Sequence, residues 1–425
     1  MLTSVSAAQK VKLLILLVLV AILFLLSFGG CSSDKDDDDQ NRPNGGSDSA
    51  KKLHYVTNTG SATVSVIDIN TRKIDRTIDL TQIVPGNPSQ SHFIVITKDE
   101  KYLIVGERQG SPDGQILFVD LATDRVVKQF NVGAAIGMTL SHDGRWLFTV
   151  SSNKGEVNGV NYSNVINVFN VETQEYLGKI DHGSNPHVLE TTWDSKTLYT
   201  TTASGGKLVA YDISSLPTIP QTPSWTFDVY QNLKDGGHIE DDVLGVTLHA
   251  LAIHKNGRYV IVGSFDNPLL TGGGDIIVDI QENKIVARIP GRPHNYDISL
   301  DWKYLLSGES PNPDCEESEY LHDHNFHVEG PIVRIIDISE LEKTNPDFSK
   351  IQITQAIDAG ALAGTGGINH QSYDKSGQYV IVAASNKVNG ENGYALVVKA
   401  SNYEKVAVLD VGVAPHGISY SGYGR

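Results

Sequence analysis

Short runs of β-branched and aromatic residues alternate with polar turns through the chain from residue 53 onward. Each run is five to seven residues long, as in ILFVDL, VVKQFNV, DIIVDI and KIVARIP. Runs of this length and composition, separated by Gly, Asn and Asp, are typical of β-strands. Beyond residue 52 no sequence stretch carries a sustained helical period, so the pattern predicts an all-β fold.

The strands repeat in a longer unit, which predicts the architecture. Seven segments begin with a strand and a polar turn, and each of the first six continues with three further strands. The anchor of each repeat, ten residues before the second strand, recurs about every 54 residues. The anchors are His92, Ile136, His187, His249, His294, Asn369 and His416. Four antiparallel strands in a repeat of this length predict the blades of a β-propeller.

The two ends of the repeat region complement each other. Residues 53–80 supply strands two, three and four of a blade without a first strand, whereas HGISYSGYG near the C-terminus supplies a first strand alone. Together they complete a seventh blade, and closing the ring in this way leaves no open sheet edge. The sequence therefore predicts one domain over residues 53–425, a seven-bladed propeller closed by its N- and C-terminal strands.

Residues 1–30 have the three parts of a secretory signal peptide. Lys10 and Lys12 form a positive region, Leu13–Leu26 is an apolar run of 14 residues, and two Gly residues precede Cys31. The ending FGGC resembles the bacterial lipobox, which implies cleavage before Cys31 and attachment of lipid to that residue. The alternative is an uncleaved single-helix anchor. On either interpretation the rest of the chain lies outside the cytoplasmic membrane.

Residues 31–52 are predicted to be a lipidated Cys followed by a disordered acidic tether. The segment SSDKDDDDQNRPNGGSDSAKK contains no aliphatic side chain larger than Ala, so it cannot form a core. Its Asp36–Asp39 run is either simply solvated or resembles the acidic surface-export signal of some lipoproteins. These features predict a lipid-anchored protein of the bacterial cell envelope that faces the periplasm or the cell surface.

Charge and motif content exclude several classes of protein. The chain has 34 Lys+Arg and 50 Asp+Glu, a formal net charge of −16, whereas nucleic-acid binding needs clustered cations. Two Cys residues exclude a disulfide framework and a multi-Cys zinc site. The sequence contains no G-x-S-x-G, P-loop or H-E-x-x-H motif, and no C-x-x-C-H for covalent c-type haem.

The repeats resemble a known family. Tyr55-Val56-Thr57-Asn58, followed by SATVSVIDINTRKI, is similar to the motif that names the YVTN-type β-propeller repeats, and the Pro-His-Gly at residues 415–417 also recurs there. The resemblance covers roughly residues 53–425. It implies kinship with bacterial surface proteins, periplasmic lipoproteins and the haem-d1 propellers of nitrite reductase and of haem-d1 assembly. The architecture by itself implies no single function.

Histidines in the anchor column are the main chemical signal. Five of the seven anchors are His, and His370 lies beside the sixth, Asn369. Because equivalent positions surround the propeller axis, we expect these imidazoles to converge at one mouth of the central channel. Neutral imidazoles suit Zn, Cu, Ni or Fe, with Zn or Cu favoured here and haem-type iron as an alternative. The predicted ligands are His92, His187, His249, His294, His370 and His416. The competing interpretation is that each imidazole simply bonds a neighbouring backbone carbonyl.

Further candidate donors lie on the same predicted face. The long loop of residues 311–330 carries a candidate second metal or lid site, formed by Cys315, His322, His324 and His327. Residues 231–247 form another polar loop, and Glu107 and Glu309 end equivalent second strands. Since Ile136 interrupts the column, we expect an off-axis metal site nearer His187 to His294.

Three functions remain open from the sequence. The first is a binding lipoprotein that captures, stores or delivers a transition metal or metal cofactor at the histidine-lined mouth. The second is a haem-d1-type oxidoreductase or cofactor-assembly enzyme, and the third is a ligand-free scaffold for protein or glycan interaction. A membrane contact through the lipid and a protein partner on the loop face are the expected interactions, and whether a reaction is catalysed stays open.

Overall fold

The computed structural model contains seven four-stranded antiparallel sheets, the blades of a β-propeller. The described residues are 52–81, 91–107, 115–133, 135–151, 156–157, 160–161, 164–203, 205–239, 245–267, 273–309, 332–359, 365–386 and 390–420. Their repeats belong to the compact unit Lys51–Arg425. The predicted signal peptide, Cys31 and the tether lie outside the described residues.

Each blade is numbered here by its position along the chain, and its strands are given from the innermost outward. Blade 1 is β4 (Ser91–Ile96), β5 (Tyr102–Glu107), β6 (Gln115–Asp120) and β7 (Arg125–Asn131). Blade 2 is β8 (Gly137–Leu140), β9 (Trp146–Ser151), β12 (Val165–Asn170) and β13 (Glu175–Asp181). Within it, β10 (Glu156–Val157) and β11 (Val160–Asn161) form a separate small hairpin. Blade 3 is β14 (Pro186–Thr191), β15 (Thr197–Thr202), β16 (Lys207–Asp212) and β17 (Trp225–Asp228).

The remaining blades follow the same order, except that blade 7 is composite. Blade 4 is β18 (Gly245–Ile253), β19 (Tyr259–Asn267), β20 (Gly274–Asp279) and β21 (Lys284–Pro290). Blade 5 is β22 (Pro293–Ile298), β23 (Tyr304–Glu309), β24 (Ile332–Asp337) and β25 (Gln352–Asp358). Blade 6 is β26 (Thr365–Tyr373), β27 (Tyr379–Asn386), β28 (Asn392–Lys399) and β29 (Lys405–Val413). Blade 7 is β30 (Pro415–Tyr420), β1 (Leu53–Asn58), β2 (Thr63–Asp68) and β3 (Lys73–Asp79).

The predicted closure of the ring is confirmed by blade 7. Strand β30 pairs antiparallel with β1, with Tyr55 opposite Ser419 and Val56 opposite Ile418. The Thr57 hydroxyl accepts a 2.7 Å hydrogen bond from the Gly417 amide and donates one of 3.0 Å to the His92 carbonyl. One buried side chain therefore joins the N-terminal strand, the C-terminal strand and blade 1.

The hydrophobic core lies between adjacent blades. One cluster combines Tyr55 and Val66 of blade 7 with Ile94, Leu103 and Val105 of blade 1, all buried. Burying a side chain of this kind stabilises the fold by about 1.5–3 kcal/mol. Because each blade covers the face of the next, the apolar runs of the sequence become a continuous ring of packed layers.

The polar turn between the first two strands has one structure in several blades. In blade 1, the Asp99 carboxylate accepts the Thr97 hydroxyl at 2.6 Å and the Lys101 amide at 3.1 Å. Asp143 makes the same two bonds in blade 2. The next residue has positive φ, +56° at Glu100 and +78° at Gly144. The Asp-Gly pattern of the sequence thus indicates a turn that is capped by the Asp side chain. The next residue of this turn must adopt a left-handed backbone conformation.

Two parts of the fold were not predicted from the sequence. A seven-residue helix, α1 (Val229–Asp235), follows blade 3, with the Asp228 carboxylate accepting the Gln231 amide at its N-terminus. It buries Val229 and Leu233 against the core of blades 3 and 4. Two short 3₁₀ helices, Ser339–Glu342 and Phe348–Lys350, precede β25. No helix among the described residues is long and apolar enough to cross a membrane.

Candidate functional site: the histidine mouth and the central channel

A β-bulge places each histidine anchor on the innermost strand. The pairing register shifts around His92 in blade 1, around His249 in blade 4 and around His294 in blade 5. In blade 3 the shift spans His187, and in blade 6 it spans His370. A bulge leaves the extra residue outside the ladder and redirects its side chain. The repeated bulge is therefore the local device that brings the anchors towards the axis.

The structure brings all six histidines into one file of touching rings, called here the histidine cluster. Ring centroids are 4.2 Å apart for His187–His249, 4.3 Å for His249–His294 and 6.0 Å for His294–His370. The file continues through His370–His416 at 4.6 Å and His416–His92 at 3.6 Å. Ile136 occupies the one anchor position where neither the anchor itself nor the residue beside it is a histidine. The six residues that the sequence singled out share one mouth of the channel.

Hydrogen bonds between blades fix the tautomer of two imidazoles. His249 Nδ1 lies 3.0 Å from the His294 carbonyl, and His294 Nδ1 lies 2.9 Å from the Asn369 carbonyl. Since a carbonyl only accepts, each Nδ1 carries the proton and each Nε2 of the neutral ring keeps its lone pair. The Asn369 amide continues the series by donating to the Pro415 carbonyl at 2.5 Å. The anchor column thus links each of these blades to the next.

Burial keeps the middle of the cluster neutral. Desolvation lowers the pKa of His249 well below its usual range, and the neighbouring His294 and His187 lower it further. Desolvation also lowers the pKa of His370, again with contributions from His294 and His187. Packed imidazoles would repel one another if protonated, so both rings are neutral at pH 7.

The donor chemistry of the cluster suits a transition metal, but its present geometry is not a finished site. Neutral imidazole nitrogens are suitable ligands for Zn and Cu. Within the described part of the chain, however, no three or more His, Cys, Asp or Glu side chains form a group that could hold a metal ion. Coordination would therefore require rotation of neighbouring rings about their Cβ–Cγ bonds.

The two carboxylates predicted beside the anchors do lie there. Glu107 pairs with Ser91 and Glu309 with Pro293, so each ends its strand next to an anchor. Burial raises the pKa of Glu309, while the charge of Arg334 opposes that rise. Arg334 is fully buried, with Nε 3.3 Å from Glu309 and Nη2 2.8 Å from Asp275. Glu309 is thus part of an ion-pair network that joins blades 4 and 5.

The other loop predictions fall largely outside the described residues. Cys315, His322, His324 and His327 all lie there, as do Glu240, Asp241 and Asp242. In the loop of residues 231–247, the structure places the end of α1 first and then an exposed His238.

Sequence reasoning missed the opposite mouth of the channel. His142 stacks on Trp193 with centroids 4.0 Å apart, and Trp193 meets Trp302 edge-on at 4.9 Å. These residues come from the first turns of blades 2, 3 and 5. A cavity of about 200 Å³ extends from them to His370. The available signal was the presence of large aromatic residues in turns that otherwise hold small or charged ones.

Comparison with known proteins identifies the fold class. No protein-family model matches the chain, and no curated protein matches it. Solved structures do match, and they define this chain as a seven-bladed β-propeller. A functionally unknown protein from Desulfotomaculum acetoxidans DSM 771 is 12% identical with a TM-score of 0.61, covering 87% of this chain and 98% of its own.

Two further structures come from proteins with named activities. Kuenenia stuttgartiensis hydrazine synthase is 17% identical with a TM-score of 0.57, covering 81% of this chain and 91% of its own. Dihydro-haem d1 dehydrogenase NirN, solved in complex with DHE, is 13% identical with a TM-score of 0.52, covering 90% of this chain and 77% of its own. Likeness at these identities establishes the fold alone. The resemblance to YVTN-type repeats stays a prediction.

Proposed function

We propose that this protein binds a transition metal ion, Zn or Cu, at the histidine cluster and captures, stores or delivers it. The observation that carries the proposal is the unbroken file of six imidazoles across one channel mouth. The Nδ1 bonds of His249 and His294 leave their Nε2 lone pairs as the donor sites. Metal binding does not have to displace a proton from a positively charged imidazole, because the central rings are already neutral.

A file of six donors fits a transferable ion better than a permanent one. Two or three imidazoles suffice for a first contact with Zn or Cu, and neighbouring rings can replace them in turn. Each ring needs only to turn, since its backbone is fixed by a bulge. The rings of His187 and His249 are 4.2 Å apart and those of His249 and His294 are 4.3 Å apart, so these three histidines form a continuous group of neighbouring donors.

Titration of Zn and Cu into a triple variant of the histidine cluster tests this proposal. Asn369 occupies the same column and keeps the bond to the next blade, so His→Asn removes a ligand while retaining a donor for the carbonyl. We expect His187→Asn/His249→Asn/His294→Asn to lower Zn and Cu affinity by about 100-fold or more, because losing direct ligands costs at least as much as the 10–100-fold typical of losing an outer-shell partner. His182→Asn, outside the cluster, is the matched control. Equal affinity of parent and triple variant would move the site elsewhere.

The second candidate is a ligand-free scaffold, and one observation favours it. The bonds of His249, His294 and Asn369 to the next blade give the column a structural role that needs no metal. A folded parent protein that binds neither Zn nor Cu by calorimetry would support the scaffold.

A haem-d1-type oxidoreductase or assembly enzyme is the third candidate. A new visible absorption band on adding haem, lost in the triple variant, would support it.

The location of the protein is part of the same proposal. The charged, apolar and Gly-Gly-Cys parts of residues 1–31 support a lipid anchor on Cys31 in the bacterial cell envelope. The propeller would then face the periplasm or the cell surface. Cys31→Ala should abolish labelling by a lipid precursor, and normal labelling of that variant would contradict the anchor.

A further inference from the structure

The central cavity is lined mainly by aliphatic and aromatic side chains, and its charged lining residues are carboxylates. It is bounded at one end by His370 and at the other by Trp193 and Trp302. Glu190 and Asp297 are the two carboxylates on its wall, and no Lys or Arg belongs to the described residues that line it. A low-dielectric channel lined by charges of one sign raises the local concentration of ions of the opposite sign. The cavity therefore favours a cation.

The carboxylates are held in place by the inner strands. Asp297 Oδ2 accepts the Tyr373 amide of blade 6 at 2.7 Å, and its Oδ1 accepts the Ile298 amide at 2.9 Å. Glu190 Oε1 accepts the Thr191 amide at 3.1 Å and lies 3.8 Å from His142 Nε2. A carboxylate oxygen can accept hydrogen bonds from more than one donor at once. Asp297 and Glu190 occupy equivalent positions, three residues after their anchors, in blades 5 and 3.

A buried hydroxyl on the same wall lacks a partner. Ser372 is 8% exposed, and its Oγ makes no hydrogen bond to any residue in the described part of the chain. It lines the cavity from blade 6, at the position equivalent to Glu190 and Asp297. Buried polar groups are normally satisfied, so an unsatisfied hydroxyl on a cavity wall indicates a place for a ligand's polar group.

The aromatic mouth supplies the second element of cation recognition. Trp193 meets Trp302 edge-on, and His142 stacks on Trp193. The Lys255 ammonium already lies 5.9 Å from the Trp302 ring centroid, so this ring does face a cation. Tryptophan faces together with carboxylates are the chemistry that binds organic ammonium ions. A cavity of about 200 Å³ has room for roughly six waters, or one small organic molecule.

From these features we infer that the central channel is a binding site for a small organic ammonium ion, which enters past Trp193 and Trp302 and lies against Glu190 and Asp297. The ammonium would contact both carboxylates, a hydroxyl of the ligand would bond Ser372 Oγ, and the aliphatic part would lie against Leu189, Leu251 and Ile298. This site is distinct from the Nε2 donors of the histidine cluster, although His370 borders both.

Calorimetry with choline and its neutral isostere 3,3-dimethylbutan-1-ol tests the inference on the full-length protein freed of metal with EDTA. We expect choline to bind and the isostere to bind about tenfold or more weakly, because the isostere fits the same space without charge. Glu190→Gln should weaken choline binding about tenfold, as should Trp193→Leu. Asp181→Asn is the control, since it removes the same charge from an exposed outer-strand position.

The outcomes separate this inference from the metal proposal. Equal binding of choline and the isostere would make the cavity a plain apolar pocket and overturn the inference. No choline binding up to about 10 mM, or unchanged binding by Glu190→Gln, would overturn it as well. The His187→Asn/His249→Asn/His294→Asn variant should keep choline binding, whatever its affinity for Zn.

Discussion

Some titratable side chains of this propeller are buried, and His54 on β1 is the clearest example. It is 1% exposed, and desolvation lowers its pKa to about 4, although the charge of Asp374 raises it somewhat. In the unfolded chain the same imidazole has a pKa near 6.5. Between these two values the unfolded state binds more protons, so acid draws the equilibrium towards unfolding.

We therefore predict that stability falls as the pH drops from about 6.5 to about 4. The contribution of His54 is constant above the unfolded pKa, and up to about 3 kcal/mol of it is lost by pH 4. His54→Gln cannot titrate, so its denaturant midpoint should depend less on pH than that of the parent. His238→Gln, which removes an exposed imidazole, is the control. A parallel loss of stability in parent and His54→Gln would contradict the prediction.

At the scale of the element, the turn between the first and second strands of a blade requires one residue with positive φ. The sequence alone already indicates this requirement. Its left-handed position is Gly144, Gly257 or Gly377 in three blades, but Glu100, Ser195 and Trp302 in three others. A Cβ at Gly257 would meet no atom within 4 Å, so its backbone angle of +67° is the whole reason for glycine there. This separates conformational strain from steric clash.

Gly257→Ala should accordingly destabilise the protein by about 1 kcal/mol, because alanine is strained at positive φ. Gly245→Ala is the matched control, since its Cβ also meets nothing within 4 Å but its backbone has no positive φ. The control should be neutral or slightly stabilising in thermal or urea unfolding. Equal effects of the two substitutions would mean that the turn tolerates a side chain.

The elements also show what could be predicted from the sequence and what could not. The strand pattern and the repeat predicted the propeller, the composite blade and the column that holds His249 and His294. The bulge at each anchor was beyond prediction, because an extra residue in a strand leaves the apolar pattern almost unchanged. Helix α1 was missed since seven residues are too few to establish a period. The channel acids Glu190 and Asp297 were missed because their alignment becomes visible only when blades 3 and 5 surround one axis.

At the scale of the whole molecule, stability depends on closing a ring. The closing contacts are the β1–β30 ladder and the Thr57 hydroxyl, whose partner Gly417 is 360 residues away in sequence. Thr201 plays the equivalent part between blades 3 and 4, donating to the Leu248 carbonyl at 3.1 Å. Because every blade packs against its neighbours, loss of the closing contacts lowers the stability of the whole ring.

Thr57→Val tests the closure with a substitution of similar shape. Thr57 is fully buried, and the change removes the bonds to Gly417 and His92 while leaving their backbone groups buried. We expect a loss of about 2–3 kcal/mol in the free energy of unfolding. Thr200→Val is the control, equally buried but with only a 3.4 Å bond to the neighbouring Thr201 carbonyl. A larger loss in the control than in Thr57→Val would argue against a special role for the closure.

The composite blade also dictates when during synthesis the ring can close. A growing chain offers β1, β2 and β3 first, yet the inner partner of β1 emerges only with the last strand, β30. Until then the Tyr55–Thr57 edge is an unpaired template that other chains can join. A copy that lacks β30 therefore exposes this edge to other chains. A short peptide with the sequence of Pro415–Tyr420 would act on such an unfinished copy and not on the finished ring.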